Sequence, residues 1–442
     1  EMTNFQGRVG LQVSDTVQAF VQGGYNDQDR DGQYRLSESK ATLGNVGGGF
    51  DVDLRDAGKV SVRGFWADED YHVRNVTIVS DDETFVANPH HTFSTDGGAS
   101  AQWSLKTSGL VSAVTGGVDY RRVDGQDDQE VFNAPGVRAA TIVGGGVQSS
   151  IGVFAQASVQ PTDRLEVLAG LRFDHFDNSN GRIVVDGVEQ AFADRSFGIV
   201  SPRVAVRYAL STPVAVRGSF YEGFRAPTLA ELYRGFESPT FRGLPNPALK
   251  EERVLGGDLG FDLHFGPVTA QINGFYNRMN DFVGSAEVGF EDGKFTVINA
   301  NVAQTRSVGA ELVASMRFSD QWTFTVNYAY TDAVVTKGEL TGNQVEGAPR
   351  DAVSGVLNWS PIPSVMVAPA VRYVSATYQD ITNEAPQDAR VLVDVYASWQ
   401  IQSHVAVIFL AENAFNEQYV ADGFGGYLGA PRQISGAVRV TF

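Results

Sequence analysis

Residues 322–331 read Trp-Thr-Phe-Thr-Val-Asn-Tyr-Ala-Tyr-Thr, and this stretch carries the pattern that decides the fold. Every second side chain is large and apolar, and the side chains between them are small, most of them polar. Alternation with a period of two predicts a β-strand that turns one face to an apolar medium. From Trp322 to Tyr330 such a strand spans roughly 26 Å, or about 20 Å of height after tilting, which is close to the apolar band of a transmembrane β-barrel. A strand of a soluble sandwich alternates too, so one segment does not settle the fold.

The same alternation recurs along the chain. It is present in residues 165–174, 203–208, 268–277, 391–400 and 433–442. The polar faces of the predicted strands carry arginines, among them Arg172, Arg203, Arg207 and Arg217. An arginine facing lipid at the bilayer midplane costs about 2–4 kcal/mol, so these arginines are expected to line a barrel interior.

The connections between the predicted strands alternate strictly between short and long. Tight turns are predicted near Ser14, Asp56, Ser108, Thr162, Ser211, Gly266, Ser319, Ile362 and Gln402. Long polar loops are predicted at 26–37, 74–95, 123–145, 177–195, 226–250, 281–296, 333–346, 376–388 and 414–431. Short periplasmic turns with long external loops are the arrangement of outer-membrane barrels, whereas a soluble sandwich has no reason to sort its loops by length.

Composition supports this fold and excludes several functions. The 442 residues include 48 Gly, 28 Phe and 15 Tyr, which suits sheet surfaces, and no apolar run is long enough for a transmembrane helix. A formal charge of −18 argues against nucleic acid as a partner, since phosphate binding needs a basic face. Cysteine is absent, and no nucleophile motif, phosphate loop or cluster of His and Cys ligands is found, so no enzyme is predicted.

The C-terminal segment alternates up to its last residue, Phe442. It resembles the final strand of outer-membrane proteins, whose terminal aromatic is read by the barrel-assembly machinery. About 19 strands are predicted in total, and the first, residues 5–13, runs in the same direction as the last. Bacterial barrels have even strand numbers with both ends periplasmic, so an odd number of upstream strands is expected, and three would complete a barrel of 22.

Five segments between residues 221 and 419 carry family motifs. They are Tyr221–Tyr233 (containing Phe224-Arg225-Ala226-Pro227), Asn246–Glu252 (beginning Asn246-Pro247), the pair Asn277 and Asp281, Asn299–Glu311 (ending Gly309-Ala310-Glu311), and Asn413–Tyr419. In this order they closely resemble the signature of TonB-dependent receptors, where an aromatic-Arg-Ala-Pro stretch precedes an Asn-Pro-x-Leu-x-x-Glu stretch. The strands before residue 221 share the alternating pattern of the family but carry none of these motifs.

The resemblance implies an all-β, 22-stranded transmembrane barrel in the Gram-negative outer membrane, with residues 1–442 forming one barrel domain. It also implies a plug domain and first strands upstream of this chain, and energy delivered by the TonB complex through that plug. The implied function is active import of a scarce nutrient chelate, with a ferric siderophore as the leading substrate and cobalamin as the second. A passive porin-like channel remains the alternative. Family members that bind heme carry a histidine between the first two motifs, and residues 228–245 contain none.

Candidate ligand contacts are Arg203, Arg207, Arg217, Arg225 and Tyr233. The wall arginines could instead pair with wall acids such as Glu166 and Asp174, and Arg225 could shape a strand end and its loop. His90-His91 could bind metal or heme, or could simply be solvated.

Residues 27–38 match a calcium-loop template. Asp27, Asp29, Asp31, Gly32 and Glu38 follow D-x-D-x-D-G-x₅-E, which places oxygen ligands at alternate positions around a sharp bend. The flanks read as strands, so an EF-hand is not expected. Calcium is a possible cofactor of this loop, no cofactor is otherwise required, and an acidic hairpin without metal is the alternative.

Overall fold

The computed structural model describes residues 2–31, 36–80, 83–422 and 427–441, and one sheet of 22 strands dominates them. Three of these strands are short, Val188–Ala191, Phe236–Glu237 and Phe241–Leu244, and the other 19 form a continuous wall. The wall strands are β1 (Met2–Ser14), β2 (Val17–Asp31), β3 (Glu38–Asp53), β4 (Lys59–Ser80), β5 (Glu83–Lys106), β6 (Val111–Ala134), β7 (Val137–Thr162), β8 (Leu165–Val185), β9 (Arg195–Ser211), β10 (Val214–Arg225), β11 (Glu252–Phe265), β12 (Val268–Glu291), β13 (Lys294–Arg317), β14 (Trp322–Lys337), β15 (Asp351–Ile362), β16 (Val365–Val374), β17 (Arg390–Gln402), β18 (Val405–Glu412) and β19 (Gln433–Val440).

The remaining elements are small. A helix α1 (Leu229–Tyr233) and a 3₁₀ turn (Arg55–Ala57) are the helical segments in the described ranges. Two isolated two-stranded ribbons join Thr377–Tyr378 to Pro386–Gln387 and Val420–Asp422 to Tyr427–Leu428. Within the part of the chain that the structure describes, no helix is long and apolar enough to cross a membrane.

Each wall strand pairs antiparallel with its neighbours in chain order, from β1 with β2 to β18 with β19. In the described residues β1 pairs with β2 alone and β19 with β18 alone, so the wall has two free edges. All residues of both edge strands are solvent-exposed. The prediction of about 19 antiparallel barrel strands is confirmed.

The predicted tight turns are confirmed at one end of the wall. Two-residue connections join β1 to β2, β7 to β8, β9 to β10, β11 to β12, β15 to β16 and β17 to β18, and slightly longer ones join β3 to β4, β5 to β6 and β13 to β14. The sorting of connections by length is therefore a property of the fold as well as of the sequence.

The prediction of a loop is wrong for several of the long connections, because the strands continue through them. The hairpins β4–β5, β6–β7 and β12–β13 extend through most of 74–95, 123–145 and 281–296. Their polar composition suggested loops, but strands that project beyond a bilayer keep their ladder hydrogen bonds and need no apolar face. Two Asp-Gly pairs at positive φ, Asp186-Gly187 and Asp292-Gly293, turn such hairpins tightly.

The two faces of the wall differ in chemistry. On β9, Val200, Val204 and Tyr208 are 51%, 43% and 40% exposed on one face, and Arg203 and Arg207 lie on the other. A sandwich would bury the apolar face against a second sheet, whereas a bilayer-facing wall leaves it open to lipid. The buried apolar clusters lie instead at the hairpin end, around Val131 and Leu232.

Candidate functional site

The helix α1 lies in the long connection that follows β10. Its start is set by a capping box, in which the Thr228 hydroxyl accepts from the Glu231 N–H at 3.2 Å. The Glu231 carboxylate accepts from the Thr228 N–H at 2.8 Å. Pro227 precedes the cap, and its carbonyl accepts from the Gln148 amide at 2.9 Å. Local sequence therefore starts the helix, and the wall holds its beginning.

Tyr233 anchors the end of this helix against the wall. Its side chain is only 2% exposed, and its ring covers Gly146 and Gly181. A Cβ at Gly181 would lie 2.3 Å from the Tyr233 ring, so glycine is required there. Ligand contact was predicted for Tyr233, and the structure corrects this, because a buried ring offers a ligand no surface.

Arg225 ties the helix to the next wall strand. Its guanidinium donates to Glu252 at 2.6 Å and to Glu231 at 2.9 Å. Glu252 is buried and also accepts from the Val283 N–H at 2.8 Å. The hydrogen bonds that Arg225 donates to Glu252 and Glu231 raise the pKa of Arg225 above its ordinary value, so the residue stays charged. We name Arg225, Glu231 and Glu252 the Arg225 clamp; the expected role of Arg225 in shaping the loop fits this geometry.

The segment that begins at Asn246 is held by the strand β13. The Asn246 amide donates to the Asn299 carbonyl at 2.7 Å and accepts from the Ala248 N–H at 3.0 Å. Asn301 forms paired bonds with the Lys250 backbone at 2.9 and 3.0 Å. These hydrogen bonds join the motif segments Asn246–Glu252 and Asn299–Glu311 to each other.

A cavity of about 650 Å³ opens beside α1, between the helix and the inner faces of β4 to β8. Its lining includes Tyr71, Ser94, Arg121, Gln148, Phe176 and Leu229. The volume suits a ligand of drug size, and the mixture of aromatic and polar groups is typical of binding sites.

Asp127 is the polar centre of the cavity wall. It accepts from the Thr92 hydroxyl at 2.6 Å and from Arg234 Nε at 3.0 Å, and His90 Nδ1 lies 3.0 Å from it. Burial alone would raise the pKa of Asp127, but the hydrogen bonds from His90 and Thr92 and the charge of Arg234 outweigh it and lower the pKa to about 2. Asp127 is therefore an anion at neutral pH, and it fixes Arg234 at the edge of the cavity.

Residues 3–414 match the family model described as TonB dependent receptor-like, beta-barrel. The chain belongs to this family.

Similar proteins in this family have diverse names. The pesticin receptor of Yersinia enterocolitica is 23% identical over 331 residues, covering 72% of this chain and 46% of that protein. The vitamin B12 transporter BtuB of Photobacterium profundum is 24% identical over 223 residues, covering 50% of this chain and 34% of that protein. The chain thus spans about half the length, or less, of these relatives.

Solved structures show the same fold. The ferric yersiniabactin uptake receptor FyuA from Yersinia pestis superimposes with a TM-score of 0.81 at 15% identity, covering 100% of this chain and 71% of that one. The family and these neighbours are transport receptors rather than enzymes, which agrees with the sequence prediction.

In this TonB-dependent receptor barrel, Arg172 pairs with wall acids as the alternative interpretation predicted. It contacts Asp119 at 2.7 Å and Asp174 at 2.5 Å. Glu166 was the other expected acid, and it lies opposite Arg207 in the register of β8 and β9.

Arg207 and Arg217 share one acid, Asp262, at 3.9 and 3.1 Å. We name these three residues the Asp262 cluster. Arg203 is exposed on the same face, and the described residues supply it with no ion pair. A ligand-binding role for Arg203, Arg207 and Arg217 stays a prediction.

Two other motif residues of the receptor barrel, Gly309 and Asn413, are held by packing or by hydrogen bonds within the barrel. A Cβ at Gly309 would meet the Tyr330 carbonyl at 2.1 Å and the Phe275 ring at 2.6 Å. Asn413 is buried, and its amide donates to the carbonyls of Glu417 and Ala430. Glu311 is exposed on β13, and Phe442 lies outside the described residues.

The calcium-like residues are placed differently from the prediction. Asp27, Asp29 and Asp31 lie within strand β2 rather than in a loop, and Gly32 is outside the described residues. Asp27 accepts from the Thr42 hydroxyl, and Glu38 pairs with Arg74. Calcium binding here stays a prediction, to be tested by Ca²⁺ titration of the native protein against Asp29→Ala.

Sequence reasoning did not identify Asp127, Gln148 or Arg234. Their signals are weak, because acidic and amide residues are common in polar hairpins. One signal was available: the run Gly144-Gly145-Gly146 within a strand indicates a close approach of other atoms. Atoms of Tyr233 approach Gly144 and Gly146, and atoms of Gly125 and Gln126 approach Gly145.

Proposed function

We propose that this chain forms most of the barrel of an outer-membrane active importer of a ferric siderophore, energised through TonB. The observation that carries the proposal is the 650 Å³ cavity, which lies at the hairpin end of a receptor-family barrel and is flanked by Arg121 and Arg234. Arg121 pairs with Asp96 and Arg234 with Asp127, and the guanidinium N–H groups that these acids leave free suit the oxygen atoms of a metal chelate. The named similarity to a ferric yersiniabactin uptake receptor supports the same substrate class.

The proposal includes segments upstream of this chain. The free edges of β1 and β19 support it, since unpaired backbone groups in a bilayer cost several kcal/mol each. Three more strands would close a 22-stranded wall. A plug inside that wall would face Arg203 and would carry the contact with the TonB complex. Docking of the C-terminal strand on the barrel-assembly machinery belongs to the same proposal.

The test is uptake by cells that express the native full-length protein and lack other receptors for the supplied chelates. Cells with an active TonB complex should accumulate iron from one of a panel of ⁵⁵Fe-siderophores in a saturable way, and cells without it should not. Equal uptake without TonB would contradict the proposal and indicate a passive channel. Uptake of labelled cobalamin in place of iron would make this receptor a cobalamin importer.

A further inference from the structure

Three side chains with metal-binding atoms converge on the outward face of the β4–β5 hairpin. They are Asp70, His72 and His91, and their ligand atoms all lie within 4.8 Å of one another. Asp70 Oδ1 is 2.8 Å from His72 Nε2 and 3.0 Å from His91 Nε2. In the described residues no other such group of three is found.

The hairpin register creates this arrangement. His72 on β4 and His91 on β5 are direct cross-strand partners, and their rings stack with centroids 4.0 Å apart and planes at 9°. Asp70 precedes His72 by two residues, so it projects from the same face of the strand. The backbone ladder therefore holds all three groups in place without a ligand, which lowers the ordering cost of binding one.

This cluster is separate from the cavity. His90, the neighbour of His91, points to the opposite face and contacts Asp127. The cluster lies four residues beyond Trp66, roughly 13 Å along the strand, and Trp66 is exposed on the same outward face. Such a tryptophan marks the interface girdle, so the cluster lies just outside the apolar band.

We propose that Asp70, His72 and His91 form a binding site for a divalent transition metal, with Zn²⁺ as the ion of choice. Two imidazole nitrogens and one carboxylate oxygen are a ligand set that suits Zn²⁺, Cu²⁺ and Ni²⁺ and does not suit Ca²⁺ or Mg²⁺. Zinc ligands at about 2.0–2.1 Å from the ion lie roughly 3.3 Å from one another, and each imidazole binds in its ring plane, so the two stacked rings must rotate apart for both to reach one ion. A water completes the fourth position.

Neighbouring charges on the outward face are of both signs. The register places Lys40 beside His72 and Asp128 beside His91. Without metal, the Nε2 atoms of both imidazoles lie within 3.0 Å of one Asp70 oxygen, and His91 hydrogen-bonds to it. Metal binding would replace these contacts and fix β4 to β5 beyond the bilayer, so the bound ion would rigidify the projecting hairpin.

The test is a Zn²⁺ titration of the native full-length protein, purified from outer membranes in detergent and freed of metal with a chelator. The wild-type protein should bind one Zn²⁺ that His72→Gln and His91→Gln each weaken by about tenfold or more. His175→Gln is the matched control, because the His175 side chain is 39% exposed, as that of His91 is, and lies beside one acid, Asp177; this variant should leave the affinity unchanged.

A second readout separates loss of ligands from loss of folding. With one Cu²⁺ per chain, electron paramagnetic resonance should show coupling to two imidazole nitrogens in the wild-type protein and to one in His72→Gln, while circular dichroism stays unchanged. Equal Zn²⁺ affinity in the wild-type protein and both glutamine variants, or a copper spectrum that His72→Gln does not change, would overturn the proposal.

Discussion

The Arg225 clamp and the Asp262 cluster are both built from arginine–carboxylate ion pairs, but the ratio of arginines to carboxylates is reversed between them. In the clamp, one arginine holds two carboxylates, one on α1 and one on β11. In the Asp262 cluster, one carboxylate contacts two arginines on the adjacent strands β9 and β10. The strands around Asp262 are already joined by ladder hydrogen bonds, whereas α1 has no ladder to hold it. We therefore expect an ion pair to contribute most where it joins segments that no ladder connects, as the contact between Arg225 and Glu231 does.

The largest effect is expected from the anchor of the clamped helix. Tyr233→Ala should lower the free energy of unfolding of the α1 region by about 3–5 kcal/mol, because it removes a fully buried aromatic side chain. Denaturant titration combined with limited proteolysis at α1 would measure this. Leu244→Ala, at a side chain 41% exposed, should change little. Equal proteolysis of the two variants would contradict the anchoring role.

The clamp itself comes next. Arg225→Ala should lower the free energy of unfolding by about 1–3 kcal/mol, since it leaves the buried Glu252 without its charged partner. Adding Glu252→Gln should recover part of that loss, and a double-mutant cycle in chemical denaturation measures the coupling. If the two single effects simply add, Arg225 and Glu252 do not interact energetically in the clamp.

Acid should release the neighbouring cavity wall. The pKa of Asp127 in the folded protein, about 2, is below its ordinary value of 3.8. The contribution of Asp127 to stability is therefore present above about pH 4 and is lost as the pH falls through about 2. Hydrogen exchange around Arg234 should be constant from pH 7 to pH 4, after correction for intrinsic rates, and should accelerate below that. Asp127→Asn should show the acceleration already at pH 7, and acid-insensitive exchange would refute this role.

The smallest effect on stability is expected at the Asp262 cluster. Arg217→Ala should change the free energy of unfolding by less than about 1 kcal/mol, because Arg207 remains and a like-charged cross-strand neighbour is removed. Asp262→Asn should destabilise more, since it leaves two arginines facing each other. Thermal unfolding in detergent distinguishes these. A loss from Arg217→Ala as large as that from Arg225→Ala would remove the contrast between the two regions.

The sequence predicted the wall well because its signals are local. Alternation within each strand and turn residues between strands require no knowledge of distant partners, and the tight turns from Ser14 to Gln402 are confirmed. The projecting hairpins were taken for loops because polarity outside a bilayer carries no information about pairing. The Asp-Gly pairs at 186–187 and 292–293 were the overlooked local signal.

The site was less predictable because it depends on register. Tyr233 packs against Gly146 and Gly181, which are distant in sequence, so its burial could not be inferred from its own surroundings. His72 and His91 meet only because the antiparallel register of β4 and β5 places them opposite each other. The motif segments indicated the right region, but their contacts with one another appear only in the structure.

The central claim is that the ligand binds in the cavity beside α1. The most direct test is the affinity of the native full-length receptor for its ferric chelate after Ser94→Trp, which fills the cavity from β5, with Phe93→Trp on the opposite face of the same strand as the control. The account predicts that Ser94→Trp weakens binding at least tenfold while Phe93→Trp leaves it unchanged and both proteins unfold at the same temperature. Unchanged affinity in Ser94→Trp would contradict it.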